Sequence, residues 1–257
     1  MARRREKGPM FWRLTIGAMV AVVFAVFAFV AFNRPPAISK ESACRVDRND
    51  PAHTVLLIDQ SDPFNPNDLD WVYEFVDMEA RALPKYGKLT VMVPNAGNPY
   101  NPTAIFTACS PGSPSEANPI TQNPRMIEQA FQKDFYQPLK DVVEGALMDE
   151  EQPSSPLFEA IYSISDRPDF QAGNEQRRLV LVSDLMQHSD GFSFYRLGAD
   201  YDAYLASKLA ETSPEMSDVK VVARIVPRQD YDLPMADVKA FWRAYFTDAG
   251  AEYGSVN

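Results

Sequence analysis

The chain has 257 residues, 46% of them hydrophobic and 23% charged, with two cysteines and a formal net charge of −10. Such a composition is that of an ordinary globular protein, and the length supports one sizeable core with appendages. Five basic residues against one acid precede Leu14, so the remainder carries −14, and an acidic body of that kind argues against nucleic acid as a partner. It suits cation binding, or simply solubility.

Residues 1–13 read as a cytoplasmic basic tail containing Arg3, Arg4, Arg5, Lys7 and Arg13. Residues 14–32, LTIGAMVAVVFAVFAFVAF, carry no charge and are just long enough to cross a hydrocarbon core as a helix. A cleaved signal peptide is the alternative. It is disfavoured because the apolar run is long and no A-x-A-like site precedes Asn33. A buried soluble helix would need a polar face, and the run has none. The basic flank lies on the N-terminal side, which places that side in the cytoplasm and everything after Phe32 outside. In a Gram-negative bacterium the expected location is the inner membrane, single-pass, with a periplasmic C-terminal domain.

Residues 33–52 are polar, contain two prolines, and read as a stalk. Cys44 lies within it and Cys109 lies well beyond it. An even cysteine count in an oxidising compartment permits one bridge between them; two independent thiols are the other reading.

Residues 53–257 alternate strand-like and helix-like signals. β-branched runs occur at Val55–Ile58, Leu89–Val93, Ile105–Thr107, Leu179–Val182 and Val219–Val226. Helical patterns cover Asn67–Leu83, Pro124–Met148, Ser155–Ser165, Asp200–Glu211 and Met235–Ala249. The third begins SPLFEAI, read as a Ser cap followed by Pro at the first helical position. The alternation predicts an α/β fold: a doubly wound, mainly parallel sheet with helices on both faces. Residues 94–123, rich in Pro, Asn, Ser and Gly, read as a long loop holding one short strand.

In such a sheet, ligands collect at the carboxyl ends of the strands. Three segments converge there in sequence terms: Asp59-Gln60-Ser61 after the first strand, Ser155 before a helix, and Ser183-Asp184 after LVLV. Hard oxygen donors of this type suit Mg²⁺ or Mn²⁺. The order D-x-S, S-P-L-x-E-A-I and a hydrophobic strand ending in S-D resembles a von Willebrand factor A domain. That resemblance covers roughly Thr54 to Asn257 and implies a metal-ion-dependent adhesion site. Its first Asp and first Ser correspond to Asp59 and Ser61, its Thr to Ser155 and its last Asp to Asp184. The second Ser of the motif falls on Pro63, and the Gly that commonly follows the last Asp is Leu185. Asp62 is a neighbouring carboxylate that would compensate for the missing hydroxyl.

Catalytic signals are sparse. Of the two histidines, His53 precedes the first strand. His188, in MQHSDG, has Ser189 and Asp190 only as sequence neighbours, which is a poor arrangement for a triad. No nucleophile elbow, Walker motif or dinucleotide fingerprint is present. The D-x-D of haloacid-dehalogenase-like phosphatases is broken at Ser61. Tyr100, Phe106, Phe192, Phe194 and Tyr195 are candidates for an aromatic rim, with core packing expected for Phe106 and Phe194. FWRAYF, Phe241 to Phe246, reads as the inner face of the last helix. The expectation is a membrane-anchored binding or scaffolding module with a degenerate divalent-metal site, engaging a protein partner through an acidic residue of that partner. The alternatives are a metal-free structural subunit of an envelope complex and a metal-dependent periplasmic hydrolase.

Overall fold

The computed structural model describes residues 8–32, 34, 36–48, 51–61, 63–118, 122–148, 152–226 and 233–256. The chain divides into two compact units, Met1–Ala37 and Ile38–Asn257. In the first, α1 (Pro9–Phe32) is one uninterrupted helix. Its stretch Met10–Phe32 is long and apolar enough to cross a membrane.

The second unit is a six-stranded sheet in the order β3-β2-β1-β4-β5-β6. Its strands are β1 (His53–Ile58), β2 (Lys88–Val93), β3 (Thr103–Cys109), β4 (Arg177–Ser183), β5 (Val219–Ile225) and β6 (Glu252–Val256). Every neighbouring pair is parallel except β2–β3, which is antiparallel. The doubly wound, mainly parallel sheet expected from the resemblance to von Willebrand A domains is present.

Period-two alternation divides β1 between two cores. Val55 and Leu57 join one cluster, with α5 (Leu157–Ser165) and α8 (Met235–Asp248) packed on it. Leu56 and Ile58 join the other, which is covered by α2 (Pro66–Ala82) and α4 (Gln137–Met148). A strand between two such layers has no wet face, so all six residues of β1 are buried. Phe158 anchors the first cluster, its ring centroid 4.9 Å from Tyr204, 5.0 Å from Trp242 and 5.0 Å from Tyr245. Phe241, Trp242, Tyr245 and Phe246 are buried, so FWRAYF does form the inner face of α8.

The long helix expected over 124–148 is helical throughout but not uniform. It runs as α3 (Pro124–Ala130), a π-helical turn Phe131–Tyr136, and α4. The cause is spacing. Phe131, Phe135, Leu139, Val143 and Leu147 are all buried and lie four apart. In an ideal α-helix each four-residue step overshoots a full turn by about 40°. The wider π turn absorbs that drift and keeps the apolar row on the sheet.

Other boundaries differ for local reasons. The pattern over 200–211 divides into α7 (Tyr201–Leu205) and a 3-10 turn, Lys208–Thr212, after a short α6 (Phe194–Leu197). Ser155 is not a helix cap: α5 starts at Leu157 with Pro156 in the capping position. Part of the expected stalk, from Ile38 onward, belongs to the globular unit. There the Cys109 N–H donates to Ser42 O (2.7 Å), and Cys44 and Cys109 form a disulfide. His53 is the first residue of β1 and fully buried. Its Nδ1–H donates to Asp169 O (2.8 Å), so Nε2 accepts from Thr90 Oγ1 (2.9 Å). Burial pushes its pKa down to about 4.

Candidate functional site

The carboxyl ends of β1 and β4 lie side by side, with Ile58 opposite Val182. The residue following β1, Asp59, is 4% exposed and is the centre of a hydrogen-bond cluster. Its Oδ2 accepts from Ser155 Oγ (2.7 Å) and Ser183 Oγ (2.8 Å), and its Oδ1 accepts from the Ser61 N–H (3.1 Å). Burial raises the Asp59 pKa, and the hydrogen bonds from Ser155, Ser183 and Ser61 oppose that shift.

Each partner is fixed by its own backbone. Ser155 forms a two-bond antiparallel bridge with His188: Ser155 N–H to His188 O (2.8 Å) and His188 N–H to Ser155 O (2.9 Å). This bridge straps the segment before α5 onto the loop after β4. Ser183 Oγ donates to Asp59 while accepting from the Leu185 N–H (2.8 Å). Asp184, also 4% exposed, receives the Met186 N–H on Oδ1 (2.9 Å).

Leu185, where the resemblance has Gly, takes the left-handed conformation that Gly would take, with φ 66°. A Leu there costs about 1–2 kcal/mol in backbone energy. The side chain offsets this by complete burial, and its carbonyl accepts from Trp242 Nε1 (2.9 Å). Beneath it, buried Gln187 receives the Phe158 N–H (3.0 Å) and donates to Glu159 (3.3 Å) and Ser189 Oγ (3.1 Å).

Of the residues singled out in the sequence, the fold therefore joins Asp59, Ser61 and Ser155 directly. It places Asp184 on the adjoining loop, with its Oδ1 turned toward Met186. Asp62 lies outside the described residues, and Pro63 is exposed. Ser183, named in the sequence beside Asp184 but given no place in the motif, is also a member of the cluster. A hydroxyl ending a buried strand beside a second acid was the available signal. His188 donates or accepts through Nδ1 with Ser193 Oγ (2.8 Å), and its ring packs edge-on against Tyr195 (5.3 Å). On the aromatic rim Tyr100 and Tyr195 are exposed, whereas Phe192 and Phe194 are buried and Phe106 is half-buried against Phe135.

An Mg²⁺-type ion asks for six oxygen donors in near-octahedral order. Among the described residues no group of three His, Cys, Asp or Glu side chains is placed to hold an ion. As arranged, both Asp59 oxygens are engaged by protein donors, and the second motif hydroxyl is replaced by Pro63.

No family model matches the chain, and no curated protein matches it. Among solved structures it is similar to the pilus adhesin SpaC from Lactobacillus rhamnosus GG in its open conformation. The TM-score is 0.46 at 9% identity, over 81% of this chain and 28% of the adhesin. It is also similar to the ArnB paralog VWA2 from Sulfolobus acidocaldarius, with a TM-score of 0.45 at 11% identity, over 81% of this chain and 42% of that one. The chain thus spans less than half the length of either.

Proposed function

We propose that this protein is a membrane-anchored binding module that scaffolds a protein partner, with the Asp59 cluster serving as a structural hub rather than a metal site. The observation that carries this reading is the closure of that cluster: a buried carboxylate whose oxygens are taken up by Ser155, Ser183 and Ser61. The hub ties the loop after β1, the entry to α5 and the end of β4 into one rigid platform. Loops fixed by a stiff sheet are a common place for recognition surfaces. Tyr100 and Tyr195, exposed in this unit, supply aromatic contact area of the kind interfaces favour.

α1 is the anchor. The basic residues before Leu14 support a cytoplasmic start for α1, with the globular unit outside, in the periplasm of a Gram-negative cell. The Cys44–Cys109 disulfide supports an oxidising compartment. A second reading, with Mg²⁺ or Mn²⁺ bound in place of part of this network, draws on the convergence of Asp59, Ser61 and Ser155 at one sheet end.

Calorimetric titration of Mg²⁺ and Mn²⁺ into the full chain in neutral detergent, beside Asp59→Ala, decides between them. The hub predicts no saturable heat, and binding of a purified partner that chelator leaves unchanged. Saturable binding abolished by Asp59→Ala would replace the hub with the metal reading. Alkaline phosphatase fused after Asn257 should be active if the unit is outside; an inactive, stable fusion would overturn the topology.

A further inference from the structure

At the sheet end opposite Asp59, a cavity of about 510 Å³ opens where β1 and β2 begin. Its walls come from residues 42–48, Pro51 and Ala52, the turn before β2, and the loop before β4. Four cations line it, Arg45, Arg48, Lys85 and Lys88, against two carboxylates, Asp169 and Glu175. Three of the cations have carboxylate partners among the described residues. Lys88 Nζ reaches Asp169 (2.5 Å), which Arg167 also holds (2.9 Å); Arg48 pairs with Glu175 (2.7 Å); Arg45 pairs with Asp47 (2.6 Å). Burial works against the Asp169 charge, but the hydrogen bonds from Arg167 and Lys88 outweigh it and hold that carboxyl well below its ordinary range.

Among the described residues, the walls together with Arg167 and Asp47 hold five cations against three carboxylates, in a chain whose net charge is −10. Lys85 has no carboxylate partner among the described residues. Its ammonium stands 5.1 Å from the centre of the Tyr86 ring, and the Arg45 guanidinium stands 5.8 Å from the same ring. Tyr86 itself is held at φ 66°, a conformation a bulky side chain resists, by its N–H to Ser110 O (2.8 Å) and by Gly87, whose missing β-carbon would meet Pro84 O at 2.9 Å. Backbone of this kind persists where the surroundings over-determine it, and here it presents an aromatic ring between two cations in a cavity wall.

We propose that this cavity is a binding site for a phosphomonoester. A phosphomonoester carries close to two negative charges at neutral pH, which suits a wall lined by Arg45, Arg48, Lys85 and Lys88, and Arg forks and Lys point charges are its usual protein partners. The volume falls within the range of small-molecule sites, so the phosphate would bring an organic body of modest size, packed against Tyr86 and the prolines Pro51, Pro84 and Pro168. The ligand is either a soluble phosphate ester or the headgroup of phosphatidic acid. The site is independent of the Asp59 hub and of its reading.

The test uses the full chain in neutral detergent. Glycerol 3-phosphate is titrated into it by calorimetry, with glycerol as the uncharged control. In a second arm the micelles are doped with phosphatidic acid or with phosphatidylcholine, and retained lipid is quantified. Saturable binding of glycerol 3-phosphate supports a soluble ligand; selective retention of phosphatidic acid without it supports the headgroup. Lys85→Glu should weaken whichever binding is found by about tenfold or more, since it reverses a charge facing the anion. Lys85 has no ion pair among the described residues to lose, so the fold should survive; Arg48→Gln provides a second variant. For the wild-type protein alone, raising NaCl from about 50 to about 500 mM should weaken binding several-fold. No saturable binding of either probe up to about 10 mM overturns the proposal. So does binding that is indifferent both to salt and to the two substitutions.

Discussion

Replacing Asp59 by alanine tests the hub most directly, because three donors converge on one side chain. The Ser155 and Ser183 hydroxyls and the Ser61 N–H would lose their acceptor in a site that is 4% exposed. Hydrogen bonds to a charged group contribute about 1.5–3 kcal/mol each, partly offset by the cost of burying the carboxylate, so a net loss of about 3–5 kcal/mol is expected. Asp59→Asn keeps the shape and one acceptor oxygen and should cost about 1–3 kcal/mol. Ser183→Ala removes both a donor to Asp59 and the acceptor of the Leu185 N–H. The Asp59→Ala/Ser183→Ala double variant should therefore lose less than the sum of the two, by about 1–2 kcal/mol. Urea unfolding of the full chain in detergent, in the presence of EDTA, gives these values. Fluorescence is a suitable signal because Trp242 is fully buried and hydrogen-bonded to Leu185 O, two residues beyond Ser183. If Asp59→Ala lies within about 0.5 kcal/mol of wild type under chelation, the cluster is not a stabilising hub and the reasoning fails.

Three further outcomes follow from other parts of the structure. His53 has a folded-state pKa of about 4 against 6.5 for the free side chain, so the unfolded chain takes up the proton first. Stability should be complete above pH 6.5 and decline as pH falls toward 4, by up to about 3 kcal/mol; a urea midpoint that is flat between pH 7 and pH 5 would contradict this. Cys44→Ser/Cys109→Ser opens a loop with a sequence separation of 65 and should cost about 4 kcal/mol, read as a lowered unfolding midpoint that reductant reproduces in wild type but leaves unchanged in the variant. Phe158→Ala, in the middle of the aromatic cluster, should destabilise by about 3–5 kcal/mol; a loss under about 1 kcal/mol would mean that the core refills the cavity.

The strands that carry the site were legible because they are buried on both faces and read as continuous apolar runs, LLI in β1 and LVLV in β4. β6, EYGSV, was not legible: an edge strand needs no apolar run, and Gly254 weakens the pattern further. The π turn at Phe131–Tyr136 was not read because the apolar series marks a helical face without showing where along it the helix widens. Asp59, Ser61 and Ser155 could be grouped from their order along the chain, because strand-end chemistry is set by topology. The role of Ser183 could not, since which hydroxyl reaches the carboxylate depends on β1 and β4 being neighbours in register. Likewise, SPLFEAI looks like a capping sequence, but the strap between Ser155 and His188 depends on a loop that only the folded chain brings within reach.

The disulfide also has a mechanical meaning. Tension reaching the globular unit along the chain from α1 arrives at Cys44 and passes across the bridge to Cys109, at the end of β3. β1, α2, β2 and nearly all of β3 lie inside the covalent loop and cannot be drawn out in series with the anchor. Apart from the short segment 38–43, only the part after Cys109 can pay out length under load. With the bridge intact, the extension on full unfolding is shorter by roughly 210–230 Å, the reach of the 65 residues it bypasses. The two outer strands thus differ covalently: β3 ends at the bridge, whereas β6, at the far edge of the sheet, lies outside the closed loop.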